Sequence, residues 1–394
     1  MLRPKELHRY IPGVDRVTSD FVRRIEAVRY GVSGGEVTDL RTEVGLWNME
    51  ASGLLVFDKR IGCLENGSDG EALGRRMVAA NATVFKLAGI LKLSTPIYKH
   101  VTTPKWRAMV KAEDYLYSNA ISMVDKAILK VKEEVERGTL TDANSDRFYF
   151  LSYLLSRPDL SLQDVTIICL SIFLDGLSTT TPTALFALYS LAVNQRVQEK
   201  LYEEVKTIVG NKTINPNDIS KMQYLKAFLK EVFRYWPNGT EVSRYTDKPM
   251  VLSGYQIPTG THVDLNPGVH FRSADIFPDP DEFRPERWLK PEHLQQSNKE
   301  KKSTSVKATK EVPQCPSSEA DEIHPFLLTP FSHGTRMCAG RRFAEQHLHV
   351  LLISLVRNFR MEYPVGESMD QIYHTLLWPD RPVRVKFISR NQPQ

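Results

Sequence analysis

Phe331-Ser332-His333-Gly334-Thr335-Arg336-Met337-Cys338-Ala339-Gly340 is the stretch that decides how this chain is read. One cysteine stands between two glycines, and an apolar helical run from Phe343 to Phe359 follows directly. A thiolate at the start of a helix is stabilised by the helix dipole and by unsatisfied backbone N–H groups. Such a thiolate is a good soft ligand for iron. Gly334 and Gly340 let the backbone turn tightly and approach a flat cofactor closely. Arg336 is spaced to reach an anionic group on that cofactor. The plain alternative is a buried structural cysteine beside a glycine turn, so the rest of the chain must decide.

Outward from the loop, the first 235 residues carry helical periodicity. It predicts helices over 14–30, 37–54, 76–92, 105–137, 161–192, 194–208 and 221–235. A hairpin is expected with Met250–Leu252 and Tyr255–Ile257 about Ser253-Gly254. Short strands follow at 261–265 and 383–388. The expected class is mainly α with small β-sheets. Residues 291–322 are polar, lack aromatics and read as a disordered surface insertion. Cys315 falls within it, exposed and unligated.

The chain has 394 residues, 41% of them hydrophobic, which is ample for a large core. Lys plus Arg number 52 against 47 acids, and a net charge of +5 is too mild for nucleic acid. The four cysteines show no paired spacing, so a disulfide framework is not expected. The most apolar run, 165–174, ends at Asp175 and reads as a core helix too short to span a bilayer.

Three further constellations stand out. Glu231 and Arg234 share a helix face, and Phe283-Arg284-Pro285-Glu286-Arg287-Trp288 lies about 50 residues on. Asp175-Gly176-Leu177-Ser178-Thr179-Thr180 interrupts the apolar helix over 161–192. There Gly176 would let a small ligand reach the backbone, and Pro182 should kink the helix. Back-bonding of hydroxyls onto the helix is expected for Thr180 and Thr183. Lys226 and Lys230 form a ridge at i and i+4, and Arg341 and Arg342 follow the cysteine loop.

Together these elements resemble the cytochrome P-450 family, in its mitochondrial, ferredoxin-dependent branch. The resemblance rests on the loop with Phe331, Gly334, Arg336, Cys338 and Gly340, on the Glu231/Arg234 pair, and on Arg287. It implies haem b held by an axial Cys338 thiolate, with Arg244 pairing a propionate. It implies a structural network of Glu231, Arg234 and Arg287, and Thr179 as the threonine that steers protons during oxygen activation. The family usually has an acid where Ser178 stands, so Asp175 either replaces it or proton delivery is altered. Lys226, Lys230, Arg341 and Arg342 resemble a ferredoxin-binding surface. Residues 239–242 and 375–378 would wall a pocket for a lipophilic, sterol- or steroid-like substrate or a foreign compound. Matrix-side location at the mitochondrial inner membrane and peripheral membrane contact follow from the same branch.

The family has roughly a hundred residues more before this start. The expectation is therefore one incomplete domain over 1–394, without the first helices and part of the main sheet, and inactive by itself. A catalytically silent haem-binding or interaction protein is the alternative. A zinc site of Cys338, His333 and His347 has no standard ligand spacing.

Overall fold

The computed structural model describes residues 4–30, 35–138, 149–239, 241–290 and 326–390. The expected insertion at 291–322, with Cys315, lies outside them. The chain forms two compact units: 1–222 with 339–394, and 223–338.

The first unit contains α1 (Pro4–His8), α2 (Ile11–Tyr30), α3 (Leu40–Phe57), α4 (Asp69–Leu93), α5 (Pro104–Glu136) and α6 (Tyr149–Leu155). It continues with α7 (Leu162–Val193), α8 (Gln195–Ile208) and α9 (Pro216–Lys221). The second unit contributes α10 (Gln223–Tyr235) and α11 (Gly268–Phe271), and α12 (Arg341–Asn358) returns to the first.

Helix starts follow their caps. Ser161 and Asp164 form a reciprocal capping box that opens α7. Ser68 accepts from the Glu71 N–H, so α4 begins two turns before the predicted start. Thr103 caps α5, with Pro104 at the first helical position, where its missing N–H costs nothing. The short α6 and α9 went unpredicted because neither is long enough to show a period.

In the first unit, α7 lies against α3 and α5, and α12 against α2 and α8. The run expected to interrupt α7 does not: the helix is continuous through Pro182. Thirty-two residues make α7 long and apolar enough to cross a bilayer, contrary to the sequence reading. Over half of its most apolar window, 56%, is buried among the other helices, as befits a core helix. An ion network joins helices here around the buried Arg24 and Glu43: Arg24 bonds Glu43 and Glu71, and the more exposed Arg75 bonds Glu43 at 2.8 Å.

Strands β1 (Glu36–Val37), β6 (Phe359–Glu362) and β9 (Val385–Ser389) make an antiparallel sheet in the order β1-β9-β6. Strands β7 (Gln371–His374) and β8 (Leu376–Pro379) form a hairpin against α4. Sequence reading missed it because Thr375, not Gly or Asn, makes the turn. In the second unit, β2 (Val242–Tyr245) pairs β5 (His262–Leu265). The hairpin of β3 (Met250–Leu252) and β4 (Tyr255–Ile257) turns at Ser253 and Gly254, both with positive φ (48° and 85°). That geometry matches the twist of the strands it joins.

Candidate functional site

In the second unit the cysteine loop is held by short-range bonds. Ser332 N–H donates to the Thr329 carbonyl at 2.9 Å, and Met337 N–H to Gly334 at 3.1 Å. Cys338 N–H donates to the Phe331 carbonyl at 2.9 Å, which closes the loop at its base. The chain turns through left-handed Ser332 (φ 61°) and Gly334 (φ 77°). A side chain at Gly334 would meet nothing within 4 Å, so this glycine serves the turn and leaves the face open. Phe331 stands edge-on to Phe233 of α10, centroids 5.3 Å apart, and ties the loop to that helix. The Cys338 thiol is free and exposed, and the Gly340 that follows it precedes α12.

Arg244 and Arg336 are exposed in this unit. Among the described residues neither pairs with a carboxylate; Arg244 donates to the Ser243 carbonyl at 2.7 Å. Two guanidinium groups without acid partners and one open thiol are the donor set that a haem with two carboxylates needs. A zinc centre does not suit these residues. Among the described residues no group of three or more His, Cys, Asp or Glu side chains gathers to hold a metal. His333 packs on Phe326, and His347 is buried against Trp47.

Behind the loop, α10 brings Glu231, Arg234 and Arg287 together. All three are buried. Arg234 grips the carboxylate in two-pronged fashion, Nε to one oxygen at 2.9 Å and an amino group to the other at 2.8 Å. Arg287 Nε reaches the same carboxylate at 3.1 Å, and Trp288 Nε1 and the Arg284 N–H at 2.8 Å each. The remaining Arg234 donors go to the carbonyls of Phe271, Pro280 and Glu282. Burial pulls the Arg287 guanidinium below its ordinary range, against the opposing charge of Glu231. Nearly every polar atom is satisfied, which is the condition for burying charge at all.

In the first unit, α7 carries Asp175, Ser178 and Thr179. The Thr179 hydroxyl donates to the Asp175 carbonyl at 2.7 Å, and Ser178 to the same carbonyl at 3.0 Å. Of the two back-bonds expected, the one at Thr183 forms, to the Thr179 carbonyl at 2.8 Å, and none is seen at Thr180 among the described residues; Ser178 and Thr179 back-bond instead. Asp175 has an accessible edge, yet the packed helices around it raise its carboxyl above the usual range through desolvation. The space beside Gly176 is taken by protein: a Cβ there would stand 2.7 Å from Asn48 Nδ2. The expectation that a small ligand meets the backbone at Gly176 is corrected accordingly. Asn48 is a site residue that sequence reading missed; a lone polar residue in the apolar run 44–49 was the signal. It is 1% exposed, and neither amide atom has a partner among the described residues.

The expected cationic surface is uneven. Lys230 is exposed on α10, with its ammonium 5.7 Å from the Trp288 ring centroid, while Lys226 is half-buried. Arg341 and Arg342 are exposed on α12, where Arg341 pairs with Glu345 at 3.1 Å.

A family model described as cytochrome P450 matches residues 1–387. The chain belongs to the cytochrome P450 family. Among P450 relatives, probable cytochrome P450 CYP44 of Caenorhabditis elegans is 36% identical over 96% of this chain and 68% of its own length. Cytochrome P450 10 of Lymnaea stagnalis is 32% identical over 99% of the chain and 65% of its length. The mitochondrial 1,25-dihydroxyvitamin D(3) 24-hydroxylase of Mus musculus is 29% identical over 99% and 68%. The chain thus spans about two thirds of the length of the relatives it matches. Several of these P450s are named mitochondrial.

Proposed function

We propose that this chain carries the haem-thiolate machinery of a mitochondrial monooxygenase. It inserts one oxygen atom from O₂ into a C–H bond of a lipophilic substrate, sterol- or steroid-like or foreign. Electrons come from NADPH through ferredoxin reductase and a ferredoxin, on the matrix side of the inner membrane, with peripheral membrane contact. The observation that carries this reading is the open Cys338 thiol on a loop closed by its own N–H to Phe331.

Haem b, when bound, supplies the oxygen activation that no side chain can. The chain's residues do the rest. Cys338 would hold the haem iron through its thiolate. Gly334 keeps the loop face free of side chains, and Phe331 and Gly340 bound it. Arg244 would pair with a propionate, and Arg336 would reach an anionic group of the haem. Glu231, Arg234 and Arg287 hold α10 and the segment after it in one arrangement behind the loop. The Thr179 hydroxyl has its proton engaged by the Asp175 carbonyl. As a hydroxyl it can also accept, which suits it to steady a proton donor. Ser178 is buried and cannot replace an acid. Asp175, with a carboxyl raised above its usual range by desolvation, takes over proton supply. Lys226, Lys230, Arg341 and Arg342 receive the acidic ferredoxin.

The test is the reduced carbon monoxide difference spectrum. Haem-loaded wild-type protein should show the long-wavelength Soret band of thiolate ligation, and Cys338→Ala should lack it. An unchanged band in the variant would exclude Cys338 as the ligand.

A further inference from the structure

The β7–β8 hairpin meets α4 through an unusual contact. Thr375, at the turn, has φ 66°, a left-handed conformation that β-branched residues rarely adopt. Such a residue persists only where its surroundings over-determine it, and these places cluster at clamps and ligand sites. Here two features of α4 do so. The Thr375 hydroxyl donates to the Phe85 carbonyl at 3.0 Å. One turn on, Gly89 is buried under the hairpin. A Cβ at Gly89 would stand 2.7 Å from Thr375 N and 3.1 Å from His374 Cα. Those are backbone atoms, so the hairpin could not yield without leaving its seat.

The same hairpin is gripped on both sides of its turn. The Lys92 ammonium, also on α4, lies 5.8 Å from the Tyr373 ring centroid. The Arg41 guanidinium of α3 stacks 4.0 Å from the Trp378 ring, which is 2% exposed. Meanwhile Ala88, Leu91 and Lys92 of α4 line an open cleft of about 400 Å³ with Tyr98 and Trp106, a cleft the hairpin itself does not line. One stretch of α4 therefore both seats the hairpin and borders an open cleft.

We propose that Thr375 and Gly89 are positioning residues that latch the β7–β8 hairpin to α4, so that the two move as one wall and hold a lipophilic substrate. This rests on the monooxygenase reading, in which 375–378 border the pocket. The hydroxyl is the latch and the glycine is its seat. Loosening either lets the hairpin swing separately from α4 and weakens substrate retention, while the reacting groups are untouched.

Amide hydrogen exchange over 82–93 and 371–379 tests the latch in the 394-residue chain, without haem or turnover. Thr375→Val keeps the shape and removes the donor. Exchange should quicken about tenfold in both segments together, and Thr375→Ser should restore it. Gly89→Ala should match Thr375→Val; if it does not fold, the valine variant alone decides. In haem-loaded protein hydroxylating 25-hydroxycholesterol, Thr375→Val should raise KM about fivefold and leave kcat within about twofold, the pattern of lost ground-state binding. Unchanged exchange in Thr375→Val overturns the latch. Quickened exchange with unchanged KM overturns its role at the pocket. A haem-loaded wild-type protein without the long-wavelength carbon monoxide band refutes the monooxygenase reading and removes the pocket the latch would serve.

Discussion

Arg287 and Arg234 share one carboxylate: both donate to the same Glu231 oxygen, at 3.1 and 2.8 Å, in a place without solvent. Two cations and one anion leave a net positive charge, offset by backbone carbonyls. This arrangement is costly to disturb, because either arginine left alone would be an uncompensated buried charge.

Glu231→Gln should therefore destabilise the protein by about 3–5 kcal/mol, the range for breaking a buried pair from one side. Urea denaturation, with the midpoint read from tryptophan fluorescence, measures it. Arg234→Lys should behave almost as badly, since an ammonium cannot hold both carboxylate oxygens. A loss below 1 kcal/mol in both variants would show that the network is dispensable.

Trp47 stands edge-on to His347 at 6.2 Å, and burial pushes the His347 imidazole down to about 4. The unfolded chain holds the proton near the ordinary 6.5. Between these values the unfolded state binds more protons, so stability present above pH 6.5 is lost as pH falls toward 4. The full loss is about 3 kcal/mol. His347→Gln should flatten this part of the stability-against-pH curve. An equal acid sensitivity in the variant would assign the effect elsewhere.

Gly176→Ala places a methyl 2.7 Å from Asn48 Nδ2. Overpacking of that kind costs about 1–3 kcal/mol. Pairing it with Asn48→Ala should return part of the loss, because the obstructing amide is gone. The double-mutant cycle reports the coupling directly. Strict additivity would mean that the two side chains do not meet.

Lys230→Glu, on an exposed face of α10, should raise the ferredoxin concentration needed for half-maximal turnover about tenfold at low salt. Substrate KM should stay constant, and the difference should shrink as ionic strength rises. Turnover that responds equally to ferredoxin in both proteins would exclude Lys230 from the docking surface.

The sequence by itself determined the helices with long apolar periods and clear caps. Periodicity put starts at 161 and 105, and the structure finds caps beside them at Ser161 with Asp164 and at Thr103 with Pro104. The sequence also determined the kind of chemistry, since one cysteine among glycines and an i, i+3 Glu–Arg pair are legible as strings. Tertiary structure alone decided what each side chain meets. Gly176 looked like an opening for a ligand, and Asn48 from α3 fills it. Thr179 was expected to steer protons, and its hydroxyl donates to the Asp175 carbonyl one turn back. The β7–β8 turn carried no turn signal, because Thr375 is held left-handed by Phe85 and Gly89, nearly three hundred residues earlier in the chain. Propensity and spacing act over a few residues, whereas the partner of a buried polar atom is chosen by packing among segments that are distant in sequence.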